Sequence, residues 1–451
     1  MKTPSFLITI ITIIFSQSLY SQQIAHRNSV IEKATHEISS ANIESYIKEL
    51  VEINTRHNLS SKSNRQYGIG AACKYIQNKL ENLTQNGINR PEIILYNYKA
   101  GGAGSRLGRE VMLTNIVAGF KGNSNDNRVI LLLAHYDSRS FDNNDSTIFA
   151  PGANDNGSGV SALLEISRVL SRISTPVNIK IAFLSGEEHG LLGAANLASI
   201  AKTQGWNVIA VINNDMIGNS RSSETELASN LKVRVFSENI PSFETETMKR
   251  DRVFNSAEND SPSRQLARYI KETGERYVDN LEVKLIYRND RFGRGGDHTP
   301  FSKEGITAVR ICEYFENYDR THQRVEIVNG KQLGDLPAGV DIEYVRKNCA
   351  LNMATILNLS LSPDRPLNAF MDIGGLSSST RISWSDPSIG KRPSFYYILI
   401  RETDQPLWWK KIAVRGNEVV IPYSKDNYIF GIQSVSEDGC ESLPVMIYGK
   451  R

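Results

Sequence analysis

Histidine, cysteine and tryptophan are all scarce in this chain of 451 residues, with seven, four and four of each. Charge of one sign is also lacking: the formal net charge is only +3 and no dense run of lysine and arginine occurs. That balance leaves no electrostatic footprint for nucleic acid or for an anionic membrane surface. No CxxC spacing links Cys73, Cys312, Cys349 and Cys440, so a thiolate metal site is not expected. After residue 15 there is no long apolar run, which excludes an integral membrane segment. What is present, 40% hydrophobic and 22% charged residues, fits a soluble globular chain long enough for more than one domain.

The N-terminus has the order of a secretory signal. Lys2 precedes the apolar run Phe6–Phe15, then polar Ser16–Ser18 and small Ser21. The run is too short to span a bilayer. A signal peptide over residues 1–21 is therefore expected, giving an exported protein, periplasmic or secreted. Export would place the four cysteines in an oxidising compartment, where three pairings are open to them.

Residues 24–41 read as an irregular lead-in, followed by a helix capped by Asn42 and a second helix over Tyr67–Leu83. Pro91–Tyr98 and Val111–Phe120 read as strands around a glycine-rich turn. The continuous apolar segment Arg128–His135 predicts a strand buried on both faces. Helix Val160–Leu170, strand Asn178–Leu184, helix Gly190–Ile200 and strand Val208–Asn213 follow. This alternation predicts an α/β fold with a mostly parallel mixed sheet flanked by helices. Residues 219–264 turn polar and read as an insertion or surface loops. Helix Gln265–Tyr277, strands Glu282–Tyr287 and Ile306–Cys312, and a closing helix Asp341–Leu359 complete a domain over residues 24–362. Beyond the linker Pro363–Pro366, short alternating strands predict a small all-β sandwich over residues 367–451. Trp384, the YYILIR strand and the YIFGIQSVSEDG segment give it a resemblance to a fibronectin type III module. Such a module is expected to contact the catalytic domain or a surface ligand. Paired Trp408 and Trp409 read as core on at least one side.

Chemistry concentrates where the apolar strands stop. His135, Asp155, Glu187, Glu188, Asp215 and the distant His322 are the metal donors on offer. Zinc takes nitrogen and oxygen ligands, and a carboxylate can bridge two ions. In AHYDS, His135 and Asp137 lie two apart and point the same way. Asp155 sits in GANDNGSG, where the number of small residues exceeds what a helix cap needs. Glu187 and Glu188 are adjacent at a strand-to-helix turn, so one can bind metal while its neighbour reaches water. Their bland reading is a charged first helical turn. His189 reads as structural. Only four histidines follow residue 130, and spacing alone leaves His298 and His322 both open.

AHYDS, GANDNGSG, GEEHGLLGA, NND and GDHTPFSKEGI together resemble the motif set of the co-catalytic di-zinc aminopeptidases, which include secreted leucyl aminopeptidases. The resemblance covers roughly residues 42–359. It implies Zn2+, two per chain, one held by His135 and Asp215 and the other by Glu188 and His322. Asp155 would bridge them, Asp137 would orient His135, and Glu187 would be the general base. The final histidine departs from the family's usual YHT-type segment, standing here in Tyr318-Asp-Arg-Thr-His322-Gln. The implied activity is removal of N-terminal amino acids from peptides with a free N-terminus, by a bridging hydroxide. Tyr287, Tyr314 and Tyr318 are candidate donors to the oxyanion. Alternatives are a single-zinc glutaminyl cyclase, which lacks the DNGSG run, and a carboxypeptidase that uses Arg291 or Arg294. An inactive binding protein has no physical reason to keep both glutamates.

Overall fold

The computed structural model describes residues 27–450. The expected signal peptide lies outside the described residues. The segment expected to be an irregular lead-in instead forms helix α1 (Ser29–His36), capped by the Asn28 side chain on the amides of Val30 and Ile31. Helix α2 (Ser40–Val51) follows, and its cap is Ser39 rather than Asn42. Short polar side chains at both junctions satisfy amides that polar composition alone makes look like coil. Helix α3 spans Ile69–Thr84.

Strands β1 (Glu92–Gly101), β2 (Glu110–Phe120) and β3 (Arg128–His135) lead to helix α4 (Gly157–Leu170). Then come β4 (Asn178–Leu184), α5 (Leu192–Thr203) and β5 (Asn207–Asn214). The polar stretch expected to be loops contains a sheet strand, β6 (Lys232–Phe236), and a short helix, α6 (Glu246–Phe254). In KVRVF, Val233 and Val235 face the core while Lys232 and Arg234 do not. Helix α7 (Pro262–Tyr277), strand β7 (Glu282–Ile286), helix α8 (His298–Lys303) and strand β8 (Ala308–Glu313) follow. A small hairpin of β9 (Glu326–Val328) and β10 (Lys331–Leu333) precedes the long helix α9 (Ile342–Leu361).

The central sheet has eight strands in the order β1-β2-β4-β3-β5-β8-β6-β7. Pairing is parallel for β4-β3-β5-β8 and for β6-β7, and antiparallel for β1-β2, β2-β4 and β8-β6. Alternation along β3 divides the core. Ile130, Leu132 and Ala134 pack with the helical layer of α1 to α4, α7 and α9, while Leu131 and Leu133 face α5 and α8. All eight residues of β3 are buried, as expected of a strand covered on both faces. Each buried leucine or isoleucine contributes about 1.5–3 kcal/mol relative to exposure.

The C-terminal region has two four-stranded sheets. One orders β15 (Glu418–Ile421), β12 (Thr380–Ser385), β11 (Leu367–Asp372) and β18 (Tyr448–Lys450). The other orders β14 (Lys410–Val414), β13 (Phe395–Glu402), β16 (Tyr428–Val435) and β17 (Val445–Met446). Ile382 and Trp384 of the first meet Ile398, Ile400 and Ile432 of the second in one cluster. Trp408 is 9% exposed and packs with Tyr397 and Leu399, whereas Trp409 is 49% exposed. The seam with the central domain is polar and buried. Arg401 donates to Asp260 at 2.6 Å, and Arg268 reaches the same carboxylate at 2.8 Å. Glu441 accepts from Arg276 at 2.7 Å and from Asn358. All four cysteines are free thiols, so none of the three possible pairings is made. Among the described residues no helix is long and apolar enough to cross a membrane.

Candidate active site

Parallel strands deliver their C-terminal ends to one rim. β3 ends at His135, the loop beyond β4 carries Glu187 and Glu188, and Asp215 follows β5 directly. Asp155 comes from the turn before α4, and His322 from the loop after β8. At that turn the cap is Asn156, whose side chain accepts from the Gly159 amide. The neighbouring Asp155 carboxylate is thereby left free of the capping role. Small residues are required around it. A Cβ on Gly152, at φ +51°, would meet the Asp155 carbonyl at 2.5 Å and the Arg56 guanidinium at 2.7 Å. One on Gly159 would meet the Asn214 carbonyl at 2.5 Å.

Asp155 stands between two imidazoles and presents a separate oxygen to each. Its Oδ1 is 3.3 Å from His135 Nε2, and its Oδ2 is 3.0 Å from His322 Nε2. Asp215 Oδ1 lies 3.7 Å from His135 Nε2, and Glu188 Oε2 lies 3.0 Å from His322 Nε2. Donor atoms of His135, Glu187 and Asp215 fall within 4.8 Å of one another, and so do those of Asp155, Glu188 and His322. Ligands around a tetrahedral zinc, at about 2.0–2.1 Å each, stand about 3.3 Å apart. These separations fit that geometry. His135 Nε2 is buried and makes no hydrogen bond although carboxylates face it, which is the state of a donor atom shaped for an ion. The residues present therefore fit zinc.

The sequence candidates converge, with differences in partnership. Asp137 was expected to orient His135 through its carboxylate. The nearer contact of His135 Nδ1 is the Asp137 backbone carbonyl at 3.1 Å, against 3.6 Å for the carboxylate. That carboxylate is occupied elsewhere: it accepts from Asn58 at 2.6 Å and from the Glu187 and Glu188 amides at 3.3 and 3.2 Å. It thus also fixes the turn that presents the two glutamates. His298 is not brought to the cluster. Its Nε2 sits on the Asn289 carbonyl at 2.8 Å. His189 bonds Asn58 and the Asn143 carbonyl, in keeping with a structural role. None of Tyr287, Tyr314 and Tyr318 lines the cleft. Tyr287 donates its hydroxyl to the Pro406 carbonyl instead.

Sequence reasoning missed the supporting shell. Asn58 ties Asp137, His189 and Ser185 together. Asp335 accepts from the Asn154 and Asp155 amides, and the buried Arg56 guanidinium holds the carbonyls of Pro151 and Gly152. Arg310 reaches Asp215 at 3.1 Å, and Arg139 reaches Glu188 at 2.9 Å and His322 at 2.7 Å. Asp297, in the GDH segment, is buried with neither carboxylate oxygen hydrogen-bonded. No local pattern marks these residues except the GDH segment itself.

Electrostatics follow from crowding acids into a buried rim. Burial raises the Glu187 carboxyl well above its ordinary range, and the charges of Asp215, Glu188 and Asp297 push the same way. Burial, with Asp215 and Asp137 nearby, pushes Asp297 up to about 8 against the pull of His135. Burial opposes charge on His135 too, but its contacts with Asp137, Asp155 and Asp215 outweigh burial and raise it well above its usual value. His322 is likewise held at about 10, where Glu188 and Asp155 overcome burial.

The cluster opens on a cavity of about 410 Å³ lined by Asp155, Glu187, Glu188, Asp215 and His322, a size usual for a small-ligand site. A larger cavity, about 610 Å³, lies between Phe254–Asp260 and the C-terminal sheets and holds none of these groups.

Residues 115–335 match Peptidase family M28. A relative from Leptosphaeria maculans, named "Probable zinc metalloprotease", is 38% identical over 92% of this chain and 96% of its own length. The chain belongs to peptidase family M28. A second relative of that name, from Pyricularia oryzae, is 35% identical over 92% of this chain and 84% of its own. This M28 chain is thus a zinc metalloprotease-type hydrolase. Its fold is similar to that of the Legionella pneumophila LapA aminopeptidase, with a TM-score of 0.52 at 17% identity over 76% of this chain and 78% of that one. LapB of the same organism gives 0.53 at 17% identity, over the same shares.

Proposed function

We propose that this M28 protein is an exported aminopeptidase that works with two zinc ions. The observation that carries the reading is Asp155, with one oxygen toward His135 and the other toward His322. His135 and Asp215 would hold one ion, Glu188 and His322 the other, and Asp155 would belong to both. Zinc, when bound, supplies a Lewis acid and brings the pKa of a water to about 7. Glu187 takes the proton from the attacking water on a carboxylate oxygen and gives it to the leaving amine. Asp137 keeps Glu187 aimed by gripping its amide and that of Glu188. The surplus of buried carboxylate draws the substrate's N-terminal ammonium group to the rim. The Phe6–Phe15 run after Lys2 supports export.

Zinc quantification with a panel of fluorogenic amino-acid amides tests the reading. Two zinc ions per chain and release of free amino acids from unblocked, but not N-acetylated, substrates are expected. Cleavage from the C-terminus of N-acetylated peptides, or ring closure of N-terminal Gln without amino-acid release, would overturn it. Asp155→Ala is expected to lose metal from both positions, and unchanged zinc content would remove the shared ligand.

A further inference from the structure

The cleft that holds the acidic cluster is also lined by arginines. Arg106, Arg139, Arg291 and Arg294 all line it. Two of the four are neutralised by the protein. Arg139 pairs with Glu188 at 2.9 Å. Arg291 pairs with Glu316 at 2.8 Å and Asp290 at 3.2 Å. Arg106 and Arg294 have no carboxylate partner among the described residues. They come from segments far apart in the chain. Arg106 stands on the β1–β2 turn, pinned by the buried neighbour Leu107. Arg294 stands on the glycine-flanked loop between β7 and α8, on a segment braced by the ion pairs of Arg291. Both side chains are exposed, and both line the cleft that holds the acidic cluster.

We infer that Arg106 and Arg294 form an anion subsite of this cleft, selecting substrates that carry a carboxylate close to the scissile bond. The inference rests on the peptidase reading only for the word substrate. The cleft is dipolar. Buried carboxylates in its lining attract the ammonium end, and two exposed guanidinium groups without a carboxylate partner among the described residues receive a negative group elsewhere on the same substrate. Guanidinium forks suit a carboxylate because they offer paired N–H donors. The carboxylate has two sources: the side chain of an acidic residue, or the main-chain terminus of a short peptide.

Four dipeptide substrates separate the sources: Glu-Gly amide, Leu-Gly amide, Gln-Gly amide and unblocked Leu-Gly. Preference for Glu-Gly amide over both the Leu and Gln amides assigns the side chain. Preference for Leu-Gly over its amide assigns the chain terminus. Either is expected to reach at least tenfold in kcat/KM at low salt and to shrink as salt rises. In Arg106→Gln/Arg294→Gln the preference is expected to fall about tenfold. Equal rates for charged and neutral members in the wild type, or a preference untouched by the double variant, overturn the inference. A second readout does not need turnover. Calorimetric binding of free glutamate against free leucine, which share their main-chain charges, tests the side-chain source directly. Calorimetric binding of Leu-Gly against its amide tests the other source. If no substrate is hydrolysed but either binding preference exists and depends on the two arginines, the peptidase reading fails and the subsite stands. If amides are hydrolysed but neither preference appears, the subsite fails alone.

Discussion

Two buried charge clusters divide this molecule, and they are built on opposite principles. At the seam between the central domain and the C-terminal sheets, acids are answered by bases. Asp260 meets Arg268 and Arg401, and Glu441 meets Arg276 with Lys411 at 3.8 Å. At the strand rim, Asp137, Asp155, Glu187, Glu188, Asp215 and Asp297 crowd together, with Arg139 and Arg310 the guanidinium groups in contact. Uncompensated buried charge is costly. A protein keeps it where something else arrives to balance it. The seam is finished without a ligand, whereas the rim, on the proposed reading, would be finished by a cation. On that reading the chemistry belongs at the rim and not in the larger cavity beside the seam.

The comparison can be broken, beginning with the largest effect. Removing zinc with a chelator is expected to abolish turnover, to restore it on zinc addition, and to lower the thermal midpoint of the holo-protein. A midpoint indifferent to chelation would mean that the rim does not need the ion. Glu187→Ala is expected to lower kcat about 10³-fold with zinc content near wild type, within the range for a lost general base. Near-normal turnover would remove Glu187 from that role.

Seam variants should do the reverse, costing stability and sparing zinc content. Arg401→Ala strips one partner from a buried carboxylate and is expected to cost about 3 kcal/mol in denaturant unfolding. A cost under about 0.5 kcal/mol would show that the seam is not load-sharing. Glu441 gives the same comparison a pH axis. Burial opposes its charged form, but Lys411 and Arg276 outweigh burial and hold it at about 2, below its ordinary 4.5. A depressed carboxyl stabilises the folded state above its unfolded pKa and loses that contribution as pH falls through the folded one. About 3 kcal/mol should therefore disappear between pH 4.5 and pH 2. The stability gap between wild type and Glu441→Gln is expected to close over that window, and a constant gap would count against the pairing. Smallest of all is Trp409→Ala, expected to change stability by under about 0.5 kcal/mol. Trp408→Ala, from a packed position, should cost about 3 kcal/mol or more.

Elements with strong local signals were legible. Arg128–His135 and Asn178–Leu184 keep the bounds that their apolar runs predict. α1 and β6 were not, because Asn28 capping and the short KVRVF alternation are drowned in polar neighbours. The metal-donor candidates were legible because their spacing is rigid: a strand end, a tight glycine turn and a strand-to-helix turn each fix a residue within a few positions. His322 against His298 was not decidable by spacing, because both stand in loops whose path depends on the rest of the fold.

The chain's own order of residues determined the α/β layering, the strand ends and the kind of donor at each, since those follow from local hydrophobic pattern and backbone sterics. Only tertiary packing decided which donors face one another, that Asp155 stands between two imidazoles, and that Asn58, Arg56, Arg310 and Asp335 brace them. Pairing between residues separated by tens to hundreds of positions has no local signature. It exists only once the strands lie side by side and bring their ends to a common rim.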